Sequence, residues 1–119
     1  MLESESYGAL TRLISWADPL DGVIETAGRC DLSEGLAVIL DRPAVTRVLR
    51  RCISGELDVR ELPTWASAVH MLDRVEIRDE ESDVLTQFLF EVSTPELFTP
   101  VTFDVCRQWI ARLEEPPKQ

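Results

Sequence analysis

The stretch VTRVLRRCISG, Val45 to Gly55, places apolar side chains at Val45, Val48, Leu49, Cys52 and Ile53, three and four residues apart. That is the spacing of one face of an α-helix, whereas a half-buried strand would alternate at every second residue. Arg47, Arg50 and Arg51 lie on the other side and give the segment a locally positive surface, and Ser54-Gly55 ends it. Upstream, Ser33 is placed to cap a short helix running through about Leu40. Arg42-Pro43 then offers either a helix start at proline or a kink between two stacked turns.

Downstream, Asp58 stands three residues before Glu61, as in a capping box, and opens a helix with the apolar face Leu62, Trp65, Ala66, Val69 and Leu72. Pro63 complicates that start, because deep inside a helix its ring would oppose the carbonyl of Val59. A short turn at Asp58 with a fresh start at Pro63, or a local distortion there, is expected. Val84, Leu85, Phe88, Leu89 and Val92 form the next apolar face, which ends at Ser93-Thr94-Pro95. A last helix begins near Thr102 and turns Cys106, Trp109, Ile110 and Leu113 inward.

At the other end, Leu10, Leu13, Ile14 and Ala17 predict a first helix over about Tyr7 to Ala17, stopped by Asp18 and Pro19. Trp16 lies just outside its strictest face, so interface and boundary-core roles are both open for it. Asp21 to Asp31 reads mostly as loop, because Gly22 and Gly28 weaken any regular element built on Val23, Ile24 and Ala27. The sum is an all-α fold, a compact single-domain bundle of four to five amphipathic helices, with a short extended element allowed near residues 74–78. Residues 1–113 form the domain, and residues 114–119, ending EPPKQ, form a frayed tail. A chain of 119 residues supports one core, burying roughly 65% of its unfolded surface.

Charge narrows the function. Twelve basic residues stand against twenty-two acidic ones, for a formal net charge of -10. Such a chain repels phosphate at long range, so direct nucleic-acid binding is not expected despite Arg42, Arg47, Arg50 and Arg51. No apolar stretch approaches the roughly 20 residues of a membrane span, and the acidic start MLESESYGAL is unlike a signal peptide, so a cytoplasmic location is expected. The run DRVEIRDEESD concentrates six carboxylates, Asp73, Glu76, Asp79, Glu80, Glu81 and Asp83, into eleven residues. A focused negative surface attracts basic partners quickly and in a salt-dependent way, although a solvated turn would carry the same residues.

Catalytic chemistry finds little support. The one histidine, His70, sits beside the inward face of the Trp65 helix, without a neighbouring nucleophile or a metal-binding pattern. Cys30, Cys52 and Cys106 contain no close pair and read as buried free thiols. The acidic run lacks the turn glycine and ligand ladder of a calcium loop. The expectation is a protein without catalytic residues, metal or cofactor.

A family resemblance adds to this. Ile53-Ser54-Gly55-Glu56-Leu57, Glu61-Leu62 and Trp65-Ala66, then the acidic connection, a helix ending in Phe90-Glu91, Pro95-Glu96-Leu97 and a terminal helix opened by Thr102, together resemble small helical bacterial immunity proteins. These are carried beside toxins of contact-dependent and related polymorphic systems, and the resemblance spans about residues 43 to 113. It implies a non-enzymatic inhibitor that binds one cognate toxin, commonly a nuclease, one-to-one. Glu76, Asp79, Glu80, Glu81 and Asp83 would meet the toxin's lysines and arginines, Asp73 would support the edge, and Trp65, His70 or Met71 could add packing. A helical adaptor or structural interaction protein is the alternative.

Overall fold

The computed structural model describes residues 2–17, 20–31, 38–72, 75–97 and 100–114. Among them, α1 spans Leu2–Ile14, α2 Leu20–Asp31, α3 Arg42–Ile53, α4 Leu62–His70, α5 Ser82–Ser93 and α6 Phe103–Glu114. Two short strands, β1 (Val38–Ile39) and β2 (Val75–Glu76), pair in parallel, with Val38 opposite Val75 and Ile39 opposite Glu76. The fold is all-α, as the helical periodicity predicts, with six helices in place of the four to five expected and one small extended element among the described residues. The helices pack chiefly in pairs, α1 on α2, α3 on α6 and α4 on α5. Their inward faces join in one apolar cluster that includes Leu10, Leu49, Leu62, Trp65, Leu85 and Phe88.

Each helix of the second half starts where its sequence allows. Asp41 is extended and accepts a hydrogen bond from the Ala44 amide at 2.9 Å, so Arg42-Pro43 is a helix start and not a kink. Asp58 caps a separate 3-10 turn, Val59–Glu61, by accepting from the Arg60 amide at 2.9 Å. Helix α4 then starts afresh at Leu62, with Pro63 in its first turn, where the missing amide costs nothing. At the far end of α3, Gly55 takes a left-handed φ of 88°, the conformation glycine adopts most readily.

Two expectations fail. The segment read as loop is helix α2, in which Leu20, Val23 and Ala27 are buried at helical spacing. Its glycines each cost roughly 1 kcal/mol against alanine, and the buried face outweighs them. The helix expected through Leu40 is strand at Val38–Ile39, while residues 32–37, Ser33 included, lie outside the described residues. β-Branched Val38 and Ile39 suit a pleated pair, and a partner strand more than thirty residues away in sequence is invisible to local periodicity. Helix α1 also begins earlier than expected and ends at Ile14, with Asp18 and Pro19 outside the described residues.

The end of α1 is tied to both α3 and α4. The Trp16 amide donates to the Leu13 carbonyl at 3.0 Å and the Ala17 amide to the Arg12 carbonyl at 2.9 Å, the paired bonds of a Schellman cap. The left-handed position of that cap, usually glycine, is held here by Trp16 at φ 55°. Burial explains why: Trp16 is 1% exposed and stacks on Trp65, with ring centroids 6.0 Å apart and planes 16° apart. The Trp65 indole Nε1 donates to the Leu13 carbonyl at 2.6 Å. From α3, the Arg51 guanidinium donates to the Ser15 carbonyl at 2.6 Å and to that of Trp16 at 3.3 Å. Trp16 is therefore core, and Arg51 is a clasp more than a surface charge.

At the opposite side, Phe88 meets Trp109 edge-to-face at 5.2 Å, and the Arg112 guanidinium lies 4.2 Å above the Trp109 ring. Replacing Trp65 by Ala is expected to lower unfolding free energy by about 3–5 kcal/mol. Trp65→Phe keeps most of the ring but loses the donor to Leu13, for a loss of about 1–3 kcal/mol. Denaturant titration of both variants measures this, and a Trp65→Ala loss below about 1 kcal/mol would contradict the buried clamp.

Candidate partner-binding edge

The acidic run enters the fold through β2 and leaves it as the start of α5. After Val75–Glu76, Arg78 is extended and Asp79–Glu81 forms a 3-10 turn that leads into α5 at Ser82. Carboxylates here lie beside the positive end of the helix dipole, which gives the sequence a local reason to collect Asp79, Glu80, Glu81 and Asp83 at this point.

The six expected site residues do not share one environment. Glu76, Asp79, Glu80 and Asp83 are exposed and make no ion pair among the described residues. Glu81 is turned inward: its side chain is 16% exposed, its Oε2 lies 3.4 Å from the Arg42 Nε, and it accepts from the Arg42 backbone amide at 3.3 Å. It ties the start of α5 to the start of α3. Asp73 lies outside the described residues. Exposed Arg78 interrupts the carboxylates and also makes no ion pair among the described residues.

Two apolar side chains are exposed close in sequence or register to these acids. Ile39, 44% exposed, is the register partner of Glu76, and Met71, 78% exposed, follows exposed His70 at the end of α4. His70 is thus a surface residue and not part of the core, while Trp65 is fully buried and unavailable to a partner. Ile39 was beyond sequence reasoning, since a helical reading of its segment gives it no place beside Glu76. Of these contacts, the register pair of Ile39 with Glu76 sets an exposed apolar side chain beside an exposed carboxylate.

Among the described residues, no group of three or more His, Cys, Asp or Glu side chains is assembled to hold a metal ion. Among them too, no helix is long and apolar enough to cross a membrane. No family model, curated protein or solved structure matches the chain.

Cys52 and Cys106 are free and buried, on the packed pair α3 and α6. The Cys30 side chain lies outside the described residues. Burial, with a smaller contribution from Cys106, pushes the Cys52 thiol up to about 12, and burial pushes Cys106 up to about 11. Because folding raises both values from 9.0, the stability they confer is complete below pH 9 and is lost as pH rises toward the folded values. Unfolding free energy should therefore fall between about pH 9 and 11 for Cys106 and on to about pH 12 for Cys52, by at most about 1.4 kcal/mol per pH unit for each thiol. A Cys52→Ala, Cys106→Ala double variant should lose that part of the pH dependence, as denaturant melts across the range will show.

Proposed function

We propose that this chain is a protein-binding inhibitor of the immunity type, which neutralises a cognate bacterial toxin with a basic surface, a nuclease in the leading form. The observation that carries the reading is the placement of Glu76, Asp79, Glu80 and Asp83. All four are exposed and unpaired among the described residues, on a segment held at both ends by the β1–β2 pair and α5. Carboxylates that serve only to fasten a fold would be expected in pairs such as Glu81 with Arg42. The resemblance to helical immunity proteins and the net charge of -10 support the same class of partner.

In this reading the unpaired acids raise the rate of encounter with a basic surface and set its orientation, while Ile39, His70 and Met71 supply contact at short range. The inhibitor acts in the cytoplasm, one-to-one, without chemistry of its own. An adaptor or structural role is the second reading. It draws on exposed Phe103, which with Met71 would offer apolar contact to an unrelated partner or a second copy.

Co-expression of a tagged copy with the product of the neighbouring gene, followed by pull-down and calorimetry, tests the reading. A tight one-to-one complex that suppresses the neighbour's toxicity is expected, and absence of a complex would favour the adaptor. Given a complex, changing Glu76, Asp79, Glu80 and Asp83 to their amides should slow association about tenfold or more at low salt, with circular dichroism unchanged. An unaltered association rate would remove this edge from the interface.

A further inference from the structure

The groove between the first half of α3 and the end of α6 differs in sign from the rest of this acidic protein. It is open to solvent, with a volume of about 670 Å³, and its lining sets Arg42, Arg47 and Arg50 against the two carboxylates of Glu81 and Glu114, with Thr46, Pro43 and Leu113 completing it. Positions 42, 46 and 50 recur every four residues and form one stripe on α3, with Arg47 beside it.

The three cations are not equivalent. Arg42 is fixed, its Nη1 donating to the Leu113 carbonyl at 3.2 Å and its Nε lying against Glu81. Arg50 pairs with Glu114, but both side chains are half exposed or more, so water and other anions compete for the contact. Arg47 is exposed and makes no ion pair among the described residues. Between them, Thr46 is the one buried polar residue among those described, 8% exposed, and its hydroxyl has no hydrogen-bond partner there. A buried hydroxyl without a partner is unfavourable unless water or a ligand completes it.

We infer that this groove binds an amphiphilic organic anion, a carboxylate or phosphate head joined to an apolar body. The oxyanion bridges the guanidinium groups of Arg47 and Arg50, displacing Glu114, because guanidinium forks match planar and tetrahedral oxyanions alike. The Thr46 hydroxyl donates to the same head. Pro43, Leu113 and the aliphatic stems of the arginines cover the apolar body. Arg42 holds the wall in place through Glu81 and Leu113. The site does not rest on the proposed toxin partner, and it shares with the acidic run only Glu81, which lines the groove and holds Arg42. A free small molecule and the acidic side chain of a peptide present the same head, and the test separates them.

The isotope-labelled full chain is titrated with phenyl phosphate, phenylacetate, inorganic phosphate, phenylethanol and a capped Leu-Glu-Leu peptide, while arginine Nε–H and backbone amide signals are followed by NMR. Saturable shifts at Arg47, Arg50 and Thr46 are expected with an amphiphilic anion. Inorganic phosphate should bind about tenfold more weakly, and phenylethanol should leave the signals still. Saturation by phenyl phosphate or phenylacetate assigns a free anion, and saturation by the peptide alone assigns a peptide carboxylate. Arg47→Gln and Arg50→Gln should each weaken binding about tenfold, while Glu114→Gln, which removes the competing carboxylate, should strengthen it. No saturation by any probe up to about 20 mM overturns the site. So do equal shifts at Arg12, Arg60 and Arg107, or binding unaltered in Arg47→Gln, since either marks diffuse charge attraction.

Discussion

The buried hydrogen bond from the Trp65 indole to the Leu13 carbonyl anchors the junction at which three of the helices meet. It joins α4 to the last turn of α1, and the ring that makes it stacks on Trp16, the residue that closes α1. The left-handed backbone at Trp16 is unfavourable for a large side chain by itself, so the cap exists only because the core surrounds the ring. Arg51 extends the junction to α3 by filling the Ser15 and Trp16 carbonyls. Three helices thus meet at one helix terminus, where unsatisfied carbonyls would otherwise face an apolar interior.

Charge is divided between fastening and display. Arg51 and Arg42 are spent on carbonyls and carboxylates inside the fold, and Glu81 joins the starts of α3 and α5. Glu76, Asp79, Glu80 and Asp83 face solvent without such partners among the described residues. These four carboxylates take no part in holding the described fold together, and their number can change with little effect on packing. The α3–α6 groove reverses this pattern, with cations set beside a buried hydroxyl.

The helices with a clean apolar stripe were legible in the sequence. Val45 to Cys52, Leu62 to Val69, Leu85 to Val92, and Cys106, Trp109 and Leu113 are buried at the positions their periodicity predicts, while Ile53, Leu72, Val84 and Ile110 at the edges of those faces are partly buried. Helix α2 was not legible, since its glycines argue locally against a helix that packing against α1 stabilises. Strand β1 depends on a partner far along the chain, and Trp16 on a cap conformation that periodicity does not encode. At the candidate edge the acidic region was readable, but the inward turn of Glu81 was not. That turn requires Arg42, almost forty residues earlier, to arrive beside it.

The parallel pair β1–β2 joins two dipeptides from opposite sides of the α3–α4 segment. Pairing over such a separation carries a loop-closure cost that the packing of the intervening helices offsets. The acidic edge shares that dependence, because Glu76 is held in place by a strand from the far side of those helices. A nascent or partly folded chain would carry the same charges without their spacing, so recognition of the edge would also be a check that the molecule is complete.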